Sequence, residues 1–493
     1  MTHPPQGTVR DWLDQRANEG GIAFVFPNET KQLTWAQLRD WADGIARNIT
    51  EKGAAPGESI ALIQPNGFEG ILALFGVLYG GFRATMINLV AGDEAISYAL
   101  DHSDARLAFV HDDQKELLAR TMPARGIRPL NPCQKGTADL HPITEQTHAL
   151  LMYTSGTTGQ PKGVVHTHAS LLAGGWTTAM AHGLTPQDRG LCVLPIYHIN
   201  GLCVTVMGSL IAGCSLIMLP RFSASGFWDT AQAHEATWFS VVPTIISHLL
   251  HGAADPDATT KRRLRFGRSA SSALPVDVHR AFEERFGVPI IETMGLTETA
   301  AQILSNPLPP AERKIGSPGQ AVGNRVKIMH PKGPSNEGEI AVHGPNVMAE
   351  YLKNPQATAD TFTRDGWLLT GDLGRMDADG YVYVTGRLKE LIIKGGENIA
   401  PREIDEALYS HADVVEAAAF ARPCATYGET VEAAVKLRSG SGVTPHALID
   451  LCHTRLGRFK SPDVIHILDD LPKGPSGKIQ RRKLTELPHK ALG

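Results

Sequence analysis

The chain is 493 residues long, beyond the size at which a single hydrophobic core keeps growing, so two or more domains are expected. Its 42% hydrophobic and 20% charged composition is ordinary globular usage and excludes a disordered or fibrous chain. A formal net charge of -4 leaves no basic face of the kind that nucleic-acid binding needs.

No run of about 18 apolar residues signals a membrane span. The opening MTHPPQGTVRDWLDQR lacks the basic-then-apolar layout of a secretory leader, so a soluble, cytoplasmic protein is expected. The cysteines, Cys133, Cys192, Cys203, Cys214, Cys424 and Cys452, form no CxxC pair and indicate neither a zinc site nor a disulfide framework.

Between residues 56 and 110 the run ESIALIQ, the apolar stretch FEGILALFGVLYGG and the run RLAFV give the strand, helix, strand rhythm of a parallel α/β sheet. A linker rich in proline and polar residues covers roughly 122–147. Then comes YTSGTTGQPKGVVHTH, residues 153–168, with hydroxyls at Thr154, Ser155, Thr157 and Thr158, flexible backbone at Gly156 and Gly159, and a cation at Lys162. Such amides and hydroxyls can cradle phosphates. Pro161 removes a backbone amide and disfavours helix at Gln160, so this is not a Walker A loop running into a helix. A plain surface turn is the competing reading.

Further on, LCVLPIYHINGL, SLIMLP and ATWFSVVP read as apolar strand-like runs alternating with helical patterns such as VDVHRAFEERFG, where Val276, Val278, Phe282 and Phe286 lie near one face. ETMGLTETA places Thr297 and Glu298 just past Gly295. A carboxylate beside a hydroxyl suits a magnesium ion that keeps phosphate oxygens and waters as its other ligands, although Thr-Glu is also an ordinary helix start. From about 339 the texture changes to short β-like runs, EIAVHG and GYVYVTG. Between them LLTGDLG offers Asp372, either an acceptor for two ribose hydroxyls or a turn aspartate.

GRLKELIIKGGENIAPREI combines Arg387 and Lys389 with the glycines Gly395 and Gly396 at a second change of texture. Beyond it the pattern helix, strand, strand, helix, strand suits a small α+β domain of about 100 residues. LPKGPSGKIQRRKL sets Lys478 in a loop of proline, glycine and serine. By itself that segment could equally be a solvated basic tail.

These five motifs, in this order and at these separations, resemble the adenylate-forming superfamily that includes acyl-CoA synthetases, luciferases and the adenylation domains of peptide synthetases. The resemblance runs from about Ser59 to Leu484. It implies an α/β fold: a large N-terminal domain of α/β subdomains with a β-rich subdomain, residues 1–387, and a small mobile α+β domain, residues 388–493, hinged at Lys389. It implies that Thr154, Ser155, Gly156, Thr157, Thr158, Gly159 and Lys162 close over the phosphates of ATP, that Thr297 contacts phosphate, and that Glu298 with Thr157 holds Mg²⁺. Asp372 would take the ribose hydroxyls with Arg387 beside it, and Ser271, Ser272 and Ala273, with Glu292, Thr293, Met294 and Gly295, would line the nucleotide. Met294 stands where the family usually has an aromatic ring, so an adenine stack becomes a thioether contact.

By the same resemblance Lys478 bridges the substrate carboxylate and the α-phosphate during adenylation. Lys389 then absorbs a rotation that brings Lys394, Gly395 and Gly396 round to line the channel for coenzyme A. His198, Asn200 and Gly201, with Val242, Pro243 and Thr244, would border the acyl pocket and thiol entrance, His198 alone being equally readable as a structural histidine. RSASSALP and SNPLPPAERKIGSPG, residues 305–319, look most like oxalate-CoA ligases, which carry histidines where this chain has Asn200 and Ala301. The substrate expected is therefore a small anionic acid such as oxalate, malonate or sulfoacetate. The acyl site would include Ser269 and Gly295, with Arg268 as counter-charge or, alternatively, in a surface salt bridge. The expected partners are that acid, ATP and coenzyme A, with no nucleic acid or membrane; a homodimer stays open. Activation of a medium-chain or aromatic acid, amino-acid adenylation, luciferase-like oxidation and non-catalytic nucleotide sensing are the alternatives.

Overall fold

The computed structural model describes residues 3–154, 160–252, 254–330, 336–474 and 478–488. Among these, a seven-stranded sheet holds Ser59–Ile63 between the parallel strands Arg83–Met86 and Leu107–Val110. Its other side continues through His148–Thr154 and Lys162–Thr167 to the short edge strand Glu350–Tyr351. A nine-stranded sheet runs from Gln320–Ala321 through Ala301–Ser305, Ile290–Leu296, Phe266–Ser269 and Trp238–Val241 to Arg189–Cys192 and beyond.

Helix Phe68–Gly80 lies at the centre of the large core. It is apolar on every side, as a helix buried all round must be, and residues Gly70 to Gly80 are all buried. Helix Trp35–Glu51 packs against it through a stripe that includes Leu38, Ala42, Ile45 and Ile49. The close approach requires Gly76, where a Cβ would stand 2.3 Å from the Ile45 side chain.

A four-stranded antiparallel sheet, Arg325–Met329, Gly338–His343, Leu368–Met376 and Val382–Arg387, forms the β-rich part. After it come Ile392–Lys394, Glu397–Ile399, helix Pro401–Tyr409, strands Val414–Cys424 and Gly428–Leu437, helix Pro445–Lys460 and strand Val464–Ile467. They share a sheet and a hydrophobic core of their own around Ile404, Leu408, Ala433 and Leu448. Among the described residues no helix is long and apolar enough to cross a membrane.

Two local expectations are corrected. The strand expected in LCVLPIYHINGL stops at Cys192, and Asn200–Met207 is instead a π-helical segment leading into helix Gly208–Ala212. The π-helical segment rides so closely on the preceding turn that a Cβ at Gly201 would sit 2.2 Å from the Pro195 carbonyl oxygen. Nor does ETMGLTETA start a helix: strand Ile290–Leu296 enters a single 3₁₀ turn, Thr297–Thr299, and the chain returns along Ala301–Ser305. Ala300 and Ala301 both have positive φ, 45° and 77°, a costly conformation for non-glycine residues that makes this reversal abrupt.

Candidate functional site

Two adjoining cavities, of about 210 and 680 Å³, lie between the large body and the small domain and share Ser271, Gly295, Arg387, Glu390 and Lys478 as wall. The smaller adds Ser272, Ala273, Glu292, Thr293, Met294 and Asp372 from the body. The larger adds Thr154, Lys162, His198, Asn200, Val242, Thr297, Glu298 and Lys389. Residues far apart in the chain thus meet on one surface.

The hairpin His148–Thr154 and Lys162–Thr167 sets Thr154 opposite Lys162. Ser155, Gly156, Thr157, Thr158 and Gly159 lie outside the described residues. The Lys162 ammonium stands 4.4 Å from the Tyr351 ring centroid, within cation–π range. The Tyr351 hydroxyl donates to Glu298 Oε1 at 2.7 Å. The turn holding Thr297 and Glu298 is fixed from behind by His166, whose Nε2 bonds the Thr297 carbonyl at 2.7 Å while Nδ1 meets Ser170 Oγ at 3.0 Å. Burial pushes the His166 imidazole down to about 4, so it is neutral there at physiological pH. At Gly295 only glycine fits, because a Cβ would fall 1.6 Å from the Ala301 carbonyl oxygen.

Asp372 and Arg387 face each other across antiparallel strands, with Arg387 Nε donating to Asp372 Oδ1 at 2.5 Å. Asp372 is thus a strand residue, and the turn reading is set aside. Lys478 enters beside them: its Nζ is 3.9 Å from Glu390 Oε1, and burial first, then Arg387, lower its affinity for a proton while Glu390 opposes the shift. Glu390 also meets Arg481 at 3.6 Å. Glu292 is buried and raised above the usual carboxyl range, chiefly by desolvation; its Oε1 accepts from the Leu274 amide at 3.2 Å. Thr293 Oγ1 donates to the Ser269 carbonyl.

Where the acyl pocket is expected, Arg268 corrects one of its two readings. It is 1% exposed, so the surface salt bridge is excluded. Its hydrogen bonds run to neutral acceptors: Nη1 to Asn200 Oδ1 at 2.7 Å and to Ser240 Oγ at 3.2 Å, Nε to Gln302 Oε1 at 3.2 Å. No carboxylate is paired with it among the described residues, and burial depresses the guanidinium to about 9. Asn200 carries the network to the cavity wall, its Nδ2 donating to Ser271 Oγ at 3.2 Å. His198 also lines the larger cavity, with a buried Nε2 that has no partner among the described residues and an imidazole pushed to about 4 by burial. Gly201, Ser269 and Ala301 pack behind this wall rather than forming it.

The small domain is docked so that Lys478 reaches the cavity. Glu406 Oε2 accepts from the Val276 amide at 3.2 Å, at the N-terminus of helix Val276–Phe286 where an acceptor is favoured. Ser247 Oγ donates to the Val415 carbonyl, and His248 Nε2 meets Glu416 Oε1 at 3.0 Å. In this arrangement Lys394, Gly395 and Gly396 line neither cavity: Lys394 Nζ is 3.6 Å from Asp463 Oδ2, and the Gly395 amide donates to Tyr427 O. His166, Tyr351, Glu390, Arg481, Ser240 and Gln302 are site residues that motif reading missed. His166, Glu390, Arg481 and Ser240 lie within stretches quoted from the sequence, where they drew no role; Tyr351 and Gln302 lie outside all of them.

The fold, a large α/β body with a small domain, is shared with ATP-bound MatB from Rhodopseudomonas palustris, at a TM-score of 0.88 and 28% identity over 97% of this chain and 98% of that one. Residues 12–352 match the AMP-binding enzyme family and residues 403–478 match the AMP-binding enzyme C-terminal domain, so the chain belongs to the AMP-binding enzyme family. It is 44% identical over 479 residues to the sulfoacetate–CoA ligase of Cupriavidus necator, covering 94% of each chain. It is also 36% identical over 476 residues to the oxalate–CoA ligase of Arabidopsis thaliana, covering 91% of this chain and 92% of that one.

Proposed function

We propose that the chain is an AMP-forming acyl-CoA ligase for a small carboxylic acid that carries a second, distal anionic group, with sulfoacetate, oxalate and malonate as the candidates. It is an acid–thiol ligase that uses ATP, Mg²⁺ and coenzyme A. The observation that carries the substrate class is Arg268. An isolated buried guanidinium is costly unless an anion offsets it, and the protein keeps this one, bonded only to neutral acceptors, behind the cavity wall at Asn200.

In the first half-reaction the substrate carboxylate attacks the α-phosphorus of ATP, the bond to the β-phosphate breaks, and acyl-AMP and pyrophosphate form. Asp372, oriented by Arg387, accepts the ribose hydroxyls. Ser271 to Ala273 and Met294 bound the adenine, while Thr154, Lys162 and Thr297 hold phosphate oxygens. Lys478, delivered between Arg387 and Glu390, offsets charge on the α-phosphate and on the attacking carboxylate. Glu298 fits a hard cation: Tyr351 occupies one carboxylate oxygen, and the other has no hydrogen-bond partner among the described residues. Magnesium bound there supplies charge neutralisation of the phosphates.

In the second half-reaction the thiol of coenzyme A attacks the acyl carbon, the thioester forms, and AMP and a proton are released. The docked small domain must first withdraw. Strands Val382–Arg387 and Ile392–Lys394 are joined through the turn Leu388–Glu390, so a rotation of residues 388–493 about Lys389 needs only a few torsions to change. Lys394 to Gly396 then turn towards the thiol route past Val242.

The test is AMP release with ATP, Mg²⁺ and coenzyme A across oxalate, malonate, sulfoacetate, acetate, benzoate and octanoate. Turnover concentrated on the first three is expected. Turnover of octanoate or benzoate alone would overturn the substrate class.

A further inference from the structure

The motifs that face the phosphates come from different sheets, and the edge strand Glu350–Tyr351 joins them. Tyr351 pairs with Val164, two residues beyond Lys162, in antiparallel register. The Leu352 amide donates to the Gly163 carbonyl at 2.8 Å and the Ala349 amide to the Val165 carbonyl at 2.9 Å. The same segment holds the other motif: the Met348 amide donates to the Glu298 carbonyl at 2.8 Å, and Asn346 Nδ2 donates to the Thr299 carbonyl at 2.8 Å. Residues 346–352 therefore bracket the Thr297–Glu298 turn against the strand that leaves the phosphate loop.

One side chain of this bracket reaches the cavity. Tyr351 is 5% exposed, lines the larger cavity and packs in the hydrophobic cluster with Val164 and Met348. Its ring carries the Lys162 ammonium at 4.4 Å and its hydroxyl holds Glu298 Oε1 at 2.7 Å. A cation and an anion are thus held at two ends of one rigid aromatic side chain. The Lys162 charge stays directed at phosphate, and Glu298 presents its second oxygen in a fixed orientation.

We infer that Tyr351 is a positioning residue that sets the spacing between the phosphate-binding lysine and the metal-binding carboxylate, and so couples binding of Mg²⁺ to binding of the ATP phosphates. The inference rests on the roles proposed above for Lys162 and Glu298. Its two halves separate chemically: Tyr351→Phe removes the hydroxyl and keeps the ring under Lys162, whereas Tyr351→Leu removes both.

The test is calorimetric binding of ATP and of AMP to the whole protein over a series of Mg²⁺ concentrations, which needs neither turnover nor a known acid. In Tyr351→Phe the Mg²⁺ concentration that half-saturates the enhancement of ATP binding rises about tenfold, the scale of one hydrogen bond to a charged group, while AMP binding is unchanged. Tyr351→Leu adds a loss of ATP affinity that persists without Mg²⁺. A merely structural role predicts equal losses for AMP and ATP, and that result overturns the inference. Unaltered Mg²⁺ dependence in Tyr351→Phe beside a shifted dependence in Glu298→Gln overturns the inference alone. Unaltered dependence in both variants overturns the assignment of Glu298 and the inference with it.

Discussion

Replacing Arg268 by methionine removes the buried charge while keeping most of the side-chain volume. Asn200 Oδ1, Ser240 Oγ and Gln302 Oε1 each lose a hydrogen bond now 2.7–3.2 Å long, worth about 1.5–3 kcal/mol apiece for a charged donor. Relief from burying an unpaired guanidinium offsets much of that loss, so the variant is expected to fold. The effect on catalysis is one-sided. At an effective dielectric of about 20, a distal anion about 6 Å from the guanidinium gains about 3 kcal/mol, which is roughly a hundredfold in affinity. In steady-state AMP release with coenzyme A, kcat/KM for sulfoacetate, malonate or oxalate should therefore fall about a hundredfold in Arg268→Met. Acetate, with no distal anion, should change by no more than a few-fold. Equal losses for acetate and the dianions would refute the reasoning, since they would mean that Arg268 supports the fold of the pocket rather than the second charge.

Lys478→Ala should lower adenylation, measured as pyrophosphate exchange, by at least 10²–10³-fold, the scale on which charge-stabilising groups act. ATP binding should stay within a few-fold and thioester formation from pre-formed acyl-AMP should survive; normal exchange would contradict the assignment. Lys389→Pro should slow thioester formation more than adenylation, and equal losses in the two half-reactions would count against a hinge there. Glu283 gives a pH prediction: burial pushes its carboxyl up, but hydrogen bonds from His279, Arg313 and the Ile290 amide more than offset this and hold it at about 2. A depressed folded-state value stabilises the protein above the ordinary carboxyl value of 4.5, and that stabilisation fades as pH falls towards 2. The stability deficit of Glu283→Gln in chemical denaturation should accordingly be full at neutral pH and shrink on acidification. A deficit independent of pH would contradict it.

Much of the site is legible in the sequence because its chemistry is local. Gly295 lies in the strand that leads directly into the turn of Thr297 and Glu298, Asp372 and Arg387 lie on neighbouring strands, and Lys478 follows a stretch of sequence rich in proline and glycine. The strand, helix, strand order of the first sheet and the helix, strand, strand, helix, strand order of the small domain follow from patterns only a few residues long. What stays hidden depends on distant pairing. EYLKNP carries no mark of its own, and Tyr351 becomes a site residue only because its strand adds to the edge beside Lys162. Arg268 reads equally as a counter-charge or as part of a surface salt bridge until its strand is found within a nine-stranded sheet. Residues 193–207 mislead because an apolar run bounded by proline suits a strand as well as a buried helix, and the contact of Gly201 with Pro195 that decides for the helix is invisible in composition.

The central claim is that an acyl-adenylate of a small dianionic acid forms in the cavity that Lys478 enters. Mass spectrometry of a single turnover with sulfoacetate, ATP and Mg²⁺, quenched before coenzyme A is added, tests it most directly. The predicted result is sulfoacetyl-AMP and pyrophosphate in equal amounts, with the adenylate converted to thioester and AMP once coenzyme A is supplied. ADP and phosphate in place of AMP and pyrophosphate, or no adenylate with sulfoacetate, oxalate or malonate, would contradict it.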